Sequence, residues 1–173
     1  HILYKEKSVK LSLNKSYRSS HEISSFTQKI LGLQNSAFMP FSRHDTKPQI
    51  ICKDNYDMLH STMVKDIKSY FSKGYESISI ICKTKRESIK LYDILKNTAD
   101  IKFHIMDEGQ TRKSVLIVPA YMAKGLEFDA VLVYDVSKIN YNSQLDRKLL
   151  YIACTRALHR LSLYYVGEKN SFL

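Results

Sequence analysis

The sequence predicts an α/β fold: one domain of three layers, a mostly parallel sheet with helices on both faces. Three observations support it. Apolar, strand-like stretches alternate with amphipathic helical stretches almost from end to end, which is the pattern of βαβ units. The run Ile78-Ser79-Ile80-Ile81-Cys82 is apolar nearly throughout, as a strand buried on both faces requires. Ser19-Ser20-His21-Glu22 and Thr84-Lys85-Arg86-Glu87 have the spacing of capping boxes, in which a hydroxyl and a glutamate satisfy the free amides of a helix start.

In chain order, Val9, Leu11 and Leu13 alternate with polar residues and predict a first strand. Behind the first capping box, Ile23, Phe26, Ile30 and Leu31 fall on one helical face, and Gly32 supplies a stop. Residues 33–48 hold Pro40 and Pro48 without periodicity and read as a loop. A strand near Gln49–Cys52 follows, then a helix with Tyr56, Leu59, Met63, Ile67 and Tyr70 on one face, ended by Gly74. After the strand Ile78–Cys82, the second capping box opens a helix through Leu95. Further strands are expected at Ile101–Ile105, Val115–Val118 and Ala130–Tyr134. A last helix over Ser143–Leu158 and a last strand over Leu161–Val166 complete the series. In sheets of this kind ligands sit at the carboxyl ends of the strands.

With 173 residues, 44% of them hydrophobic and 25% charged, the chain has the make-up of a soluble globular domain with a real core. No apolar stretch approaches a membrane span, and the first residues do not form a signal peptide. Cys52, Cys82 and Cys154 lie far apart, with no CxxC and no His/Cys pair at ligand spacing. That argues for reduced thiols in a cytoplasmic protein and against a structural zinc site. The net charge of +10 has two readings: a surface that attracts phosphate backbones, nucleotides or acidic proteins, or a lysine-rich composition without a partner. Charge alone does not choose between them.

Three segments carry candidate chemistry. Ser16-Tyr17-Arg18-Ser19 places a ring and a guanidinium between a strand's carboxyl end and a helix N-terminus, where free amides and the helix dipole favour anions. The plain alternative is a surface arginine beside a core tyrosine. In Ala123-Lys124-Gly125-Leu126-Glu127-Phe128-Asp129, the glycine permits close approach of backbone to a ligand and the glutamate can accept from sugar hydroxyls. Otherwise it is a turn with Lys124 and Glu127 in solvent. In Leu149-Leu150-Tyr151-Ile152-Ala153-Cys154-Thr155-Arg156-Ala157 a guanidinium interrupts an apolar helical run. Arg156 either reaches solvent along the helix edge or meets an anion, because burying it unpaired is costly.

These three strings, in this order, resemble motifs IV, V and VI of the second RecA-like domain of UvrD/Rep-type superfamily 1 helicases. The resemblance runs from about Leu11 to Val166. It implies a RecA-like, P-loop NTPase type of fold, with ATP and Mg2+ bound in the cleft against a preceding N-terminal RecA-like domain. Tyr17 would stack on the adenine, Arg18 and Arg156 would reach the γ-phosphate, and Glu127 would hold the ribose, with Gly125 allowing close approach. Single-stranded DNA or another nucleic acid is the implied partner.

Two departures from UvrD and Rep point to a sub-branch. Ile101–Arg112 leaves no room for their large inserted domain, and Pro119-Ala120-Tyr121 stands where they carry a Thr-x-His pattern used near single-stranded DNA. The string from Pro119 to Asp129 and the missing insertion are similar to HelD, the RNA polymerase-associated helicase-like ATPases of Gram-positive bacteria. No G-x-x-x-x-G-K-[ST] phosphate loop occurs in the chain, nor a paired-carboxylate strand end for magnesium. The expectation is therefore a single domain over residues 1–173, cut from a larger protein, inactive alone and completed by a phosphate-loop domain. The competing expectation is a degenerate RecA-like platform that binds nucleic acid or protein without ATPase activity.

Secondary candidates are weaker. The scattered histidines offer no triad, and His104 reads as structural. The charge run Lys83–Lys90 reads as the exposed face of a capped helix, and Asp135 stands at a strand's carboxyl end. Tyr164 and Tyr165 read as packing for the last strand.

Overall fold

The computed structural model describes residues 15–16, 19–32, 39–40, 43–105 and 114–173. The elements run β1 (Lys15–Ser16), α1 (His21–Leu31), β2 (Met39–Pro40), β3 (Gln49–Lys53), α2 (Tyr56–Ser72), β4 (Ile78–Cys82), α3 (Lys85–Leu95), β5 (Lys102–Ile105), β6 (Ser114–Pro119), β7 (Phe128–Val133), α4 (Gln144–Cys154) and β8 (Ala157–Val166). Six strands form one sheet in the order β3-β8-β7-β4-β6-β5, and every pairing in it is parallel. The expected mostly parallel sheet is thus entirely parallel. The strand expected at Val9–Leu13 lies outside the described residues.

Successive side chains along the strands enter opposite faces of the sheet, as the pleat dictates. Ile81, Leu116, Val118, Val131, Val133, Leu161 and Leu163 face one layer with Ile23 and Ile30 of α1 and Leu150, Ala153 and Cys154 of α4. Ile78, Ile80, Cys82, Val115, Ile117, Ala130, Leu132 and Tyr164 face the other, with Leu59, Met63 and Ile67 of α2 and Leu91 and Leu95 of α3. β4, in the interior of the sheet, is buried at every position, which explains its nearly unbroken apolar sequence; the exception, Ser79, donates to the Leu116 carbonyl. β3 lies on an edge and is correspondingly more exposed.

The helix starts differ in how their amides are satisfied. Thr84 and Glu87 form the expected capping box, and Ser143 with Asp146 forms a second. The box expected at Ser19–Glu22 does not form. Ser20 is the N-cap and accepts from the Ile23 amide, while Glu22 turns outward to the His44 ring and the Asp45 amide. Gly32 caps α1 in the left-handed conformation, φ +74, as expected.

Two further expectations are corrected. Within 33–48, Met39–Pro40 pairs in parallel with Lys15–Ser16, a small ladder apart from the main sheet. The last helix ends at Cys154 rather than Leu158, and β8 begins at Ala157 rather than Leu161. Ala157 and Leu158 fit either periodicity. Pairing with β7 decides for the strand, Phe128 standing opposite Ala157.

Candidate functional site

The second of the three motif-like segments follows the end of β6. Because β6 and β7 are parallel, with β4 between them, residues 120–127 must travel back from the carboxyl edge of the sheet to its amino edge. They do so in consecutive turns over the α1–α4 face, anchored by buried Ala120 and Ala123. Gly125 has φ +88, a left-handed conformation that favours glycine, and a Cβ there would meet nothing within 4 Å. Glu127 is exposed, immediately before β7.

Asp129 fastens this run. Its carboxylate accepts from the amides of Glu76 at 3.0 Å and Ser77 at 2.9 Å, while the Ser77 hydroxyl accepts from the Asp129 amide at 2.8 Å. Burial pushes this carboxyl up, but those bonds outweigh it and hold it below the usual range. The last residue of the AKGLEFD string is therefore a clamp between β7 and the loop entering β4.

Arg156 stands in the corner between α4 and β8, not within the helix. It is 8% exposed. Its guanidinium donates to the carbonyls of Ile152 at 3.2 Å and Leu126 at 3.3 Å, and to the Thr155 hydroxyl at 3.1 Å. Its own carbonyl accepts from the Phe128 amide at 3.0 Å. These contacts bracket Glu127, since Leu126 and Phe128 are its two neighbours.

The first segment arrives at the same place. Tyr17 and Arg18 lie outside the described residues, but Ser19 and Ser20 do not. The Ser19 hydroxyl donates to the Ala157 carbonyl at 2.6 Å, and the Ser20 amide donates to the Leu158 carbonyl at 3.3 Å. The residue after Arg18 is thus bonded to the residue after Arg156. The structure gathers the flank of the first segment with Glu127 and Arg156 at the amino edge of the sheet, against the expectation of a carboxyl-edge site. The cause is the returning run 120–127, which carries its chemistry away from the end of β6.

Residues 43–48 complete this edge, and no periodicity in the sequence marked them. The Arg43 carbonyl accepts from the His21 amide at 2.9 Å, and the Arg43 guanidinium donates to the Leu158 carbonyl at 2.9 Å. Asp45 pairs with Arg160 at 3.0 Å and with the His159 ring at 3.4 Å. The Asp45 amide, with the His44 ring beside it, draws the Glu22 carboxyl down to about 2.

Other candidates sort differently. Lys83 is not a solvated lysine: it pairs with buried Asp146 at 2.7 Å, tying the entry to α3 to the first turn of α4. Tyr164 packs as expected and donates to Asp66 at 2.7 Å. Cys82 and Cys154 are buried thiols and Cys52 is exposed. Among the described residues no group of three or more His, Cys, Asp or Glu side chains could hold a metal ion, and no helix is long and apolar enough to cross a membrane.

Residues 114–164, from β6 into β8 and including Gly125, Glu127 and Arg156, match the UvrD-like helicase C-terminal domain. The fold is similar to the crystal structure of the C-terminal domain of a possible DNA helicase from Lactobacillus plantarum WCFS1. The two are 30% identical, the match covers 91% of each chain, and the TM-score is 0.76. Weaker likeness extends to the arterivirus helicase, nonstructural protein 10, solved with DNA and without it. There identity is 16%, coverage is 68% of this chain and 28% of the helicase, and TM-scores are 0.44 and 0.45. A comparison with curated proteins finds no match. The α/β architecture with its six-stranded parallel sheet is that of a RecA-like helicase C-terminal domain, and the chain belongs to the UvrD-like helicase C-terminal domain family.

Proposed function

We propose that this chain is the second motor lobe of an ATP-dependent superfamily 1 helicase or translocase, and that its amino edge faces the nucleotide across a cleft closed by a phosphate-loop lobe. The observation that supports this is the convergence of Ser19, Leu126 and Arg156 through direct hydrogen bonds, Ser19 to Ala157 and Arg156 to Leu126. Segments from three distant parts of the chain are held as one surface, with Glu127 exposed on it.

In phosphoryl transfer the protein's work is positioning and charge stabilisation, and an arginine finger contributes roughly 10³–10⁵ in rate. Arg156 and Arg18 supply the two guanidinium groups for the γ-phosphate. Tyr17 offers a ring for the adenine and Glu127 a carboxylate for the ribose hydroxyls. Gly125 keeps the approach to Glu127 free of a side chain. Mg2+ is held by the other lobe. Because the arginines and the phosphate loop belong to different lobes, turnover couples to lobe closure and so to movement along single-stranded DNA or another nucleic acid.

Within this reading we favour the HelD-like branch, in which the coupled movement remodels RNA polymerase complexes. The string from Pro119 to Asp129 supports it. A second reading is favoured by one observation: the Arg156 guanidinium bonds two main-chain carbonyls and is 8% exposed, as a structural arginine would be. The domain would then be a binding platform without ATPase function. ATPase assays of the full parent protein decide between these readings. Stimulation by single-stranded DNA indicates a helicase, stimulation by RNA polymerase a remodelling factor, and no hydrolysis under any condition the platform.

A further inference from the structure

At the opposite, carboxyl edge of the sheet lies a recess of about 440 Å3 between the first turns of α2 and the outer face of α3. Tyr56, His60 and Tyr134 line one side, and Leu91 and Ile94 the other. The His60 and Tyr134 rings stack at 5.8 Å, joined by a 3.1 Å hydrogen bond between Nε2 and the phenol. The Tyr56 phenol donates to Asp135 Oδ2 at 3.0 Å. Burial and the Asp135 charge push that phenol up to about 12, so it remains a donor throughout the physiological range.

The charge of this recess runs against the rest of the molecule. Asp57, Glu87 and Asp135 line it against a single cation, Lys90, on a chain of net +10. Asp135 holds a left-handed backbone, φ +46, and its buried Oδ1 meets no hydrogen-bond partner. Three carboxylates repel phosphate, so a nucleic-acid backbone is the wrong occupant. A neutral apolar group would cover the carboxylates without compensating their charge. A monocation with a flat or alkyl body satisfies both demands: ring faces attract cations, and the carboxylates neutralise them.

The rim says how that cation is presented. Tyr56 is 44% exposed and Ile94 55%, and both line this opening. A free amine would leave these side chains in water. A peptide with apolar residues beside its basic side chain would cover them. We propose that the α2–α3 recess docks a partner protein through an arginine or lysine side chain flanked by apolar residues. This surface lies across the sheet from the nucleotide edge, and its test is independent of any ATP assay.

The test is a solution NMR titration of the isotope-labelled 173-residue chain; a relative matched over 91% of its length was crystallised as a separate domain. The probes are N-acetyl-Leu-Arg-Leu-amide, the same peptide with glutamine for arginine, arginine amide, and oligothymidylate. The arginine peptide should shift the Tyr56, Glu87 and Asp135 amides saturably and bind about tenfold more tightly than either arginine amide or the glutamine peptide. Asp57→Lys and Ile94→Ser change exposed side chains, and each should weaken the arginine peptide about tenfold while leaving the spectrum of a folded chain. Equal binding of the glutamine peptide, absence of saturable shifts at these amides, indifference to both substitutions, or oligothymidylate filling the recess would each overturn the proposal.

Discussion

The Ser19 hydroxyl donates to the Ala157 carbonyl at 2.6 Å, and both residues are buried. This bond joins the neighbour of Arg18 to the neighbour of Arg156 across 138 residues of sequence. Removing it with Ser19→Ala leaves a buried carbonyl short of a donor, which costs about 1–3 kcal/mol. Urea unfolding of the 173-residue chain should show a lower midpoint with an unchanged slope. In the full parent protein the same substitution should lower ATP turnover without touching either arginine.

Asp129→Ala should destabilise the chain by about 1–3 kcal/mol, because it strips the Glu76 and Ser77 amides of their acceptor. The isosteric Asp129→Asn retains one acceptor oxygen and should lose less. Paired unfolding curves at neutral pH give the comparison. Equal midpoints for wild type and Asp129→Ala would show that the clamp contributes nothing.

Acid should weaken the fold through Glu22, Asp129 and Asp146. All three are held below their unfolded values, 4.5 for Glu22 and 3.8 for the two aspartates, and Glu22 falls to about 2. A depressed folded pKa stabilises above the unfolded pKa, and that stability is lost as pH falls through the folded one. For Glu22 the window runs from 4.5 down to about 2. Glu22→Gln should therefore flatten the fall in the urea midpoint across this window, while its remaining oxygen can still accept from the Asp45 amide.

Thiol labelling under native conditions should modify Cys52 first. Cys82 and Cys154 are buried, and burial pushes both thiols well up, away from the reactive thiolate. Titration with a chromogenic disulfide should give one rapid equivalent, with the other two released only in denaturant. Rapid reaction of all three would contradict the packing of β4 and α4.

The sequence made the alternation of strands and helices legible because burial imposes periods of two and 3.6 on side chains. Ile78–Cys82, Leu59–Met63–Ile67 and the Thr84–Glu87 box all fall where that logic puts them. The site was legible as residue types but not as a place. Nothing local tells that 120–127 doubles back to the amino edge, since that follows from β4 lying between β6 and β7. The end of α4 was hidden because Ala157 and Leu158 suit a helix or a strand, and only pairing with Phe128 decides. Glu22 had capping spacing, yet the His44 ring and the Asp45 amide, more than twenty positions away, claimed its carboxylate. Residues 43–48 act through single long-range bonds, which leave no pattern to read.

The most direct test of the central reading is steady-state ATP hydrolysis by the full parent protein carrying Arg156→Lys. Lysine keeps a positive charge near the Ile152 and Leu126 carbonyls but cannot reproduce the guanidinium fork. The account predicts that kcat falls by about 10³ or more, while KM for ATP changes little and the protein remains folded. A kcat close to wild type would contradict it and leave Arg156 as a structural brace between α4 and the run before β7.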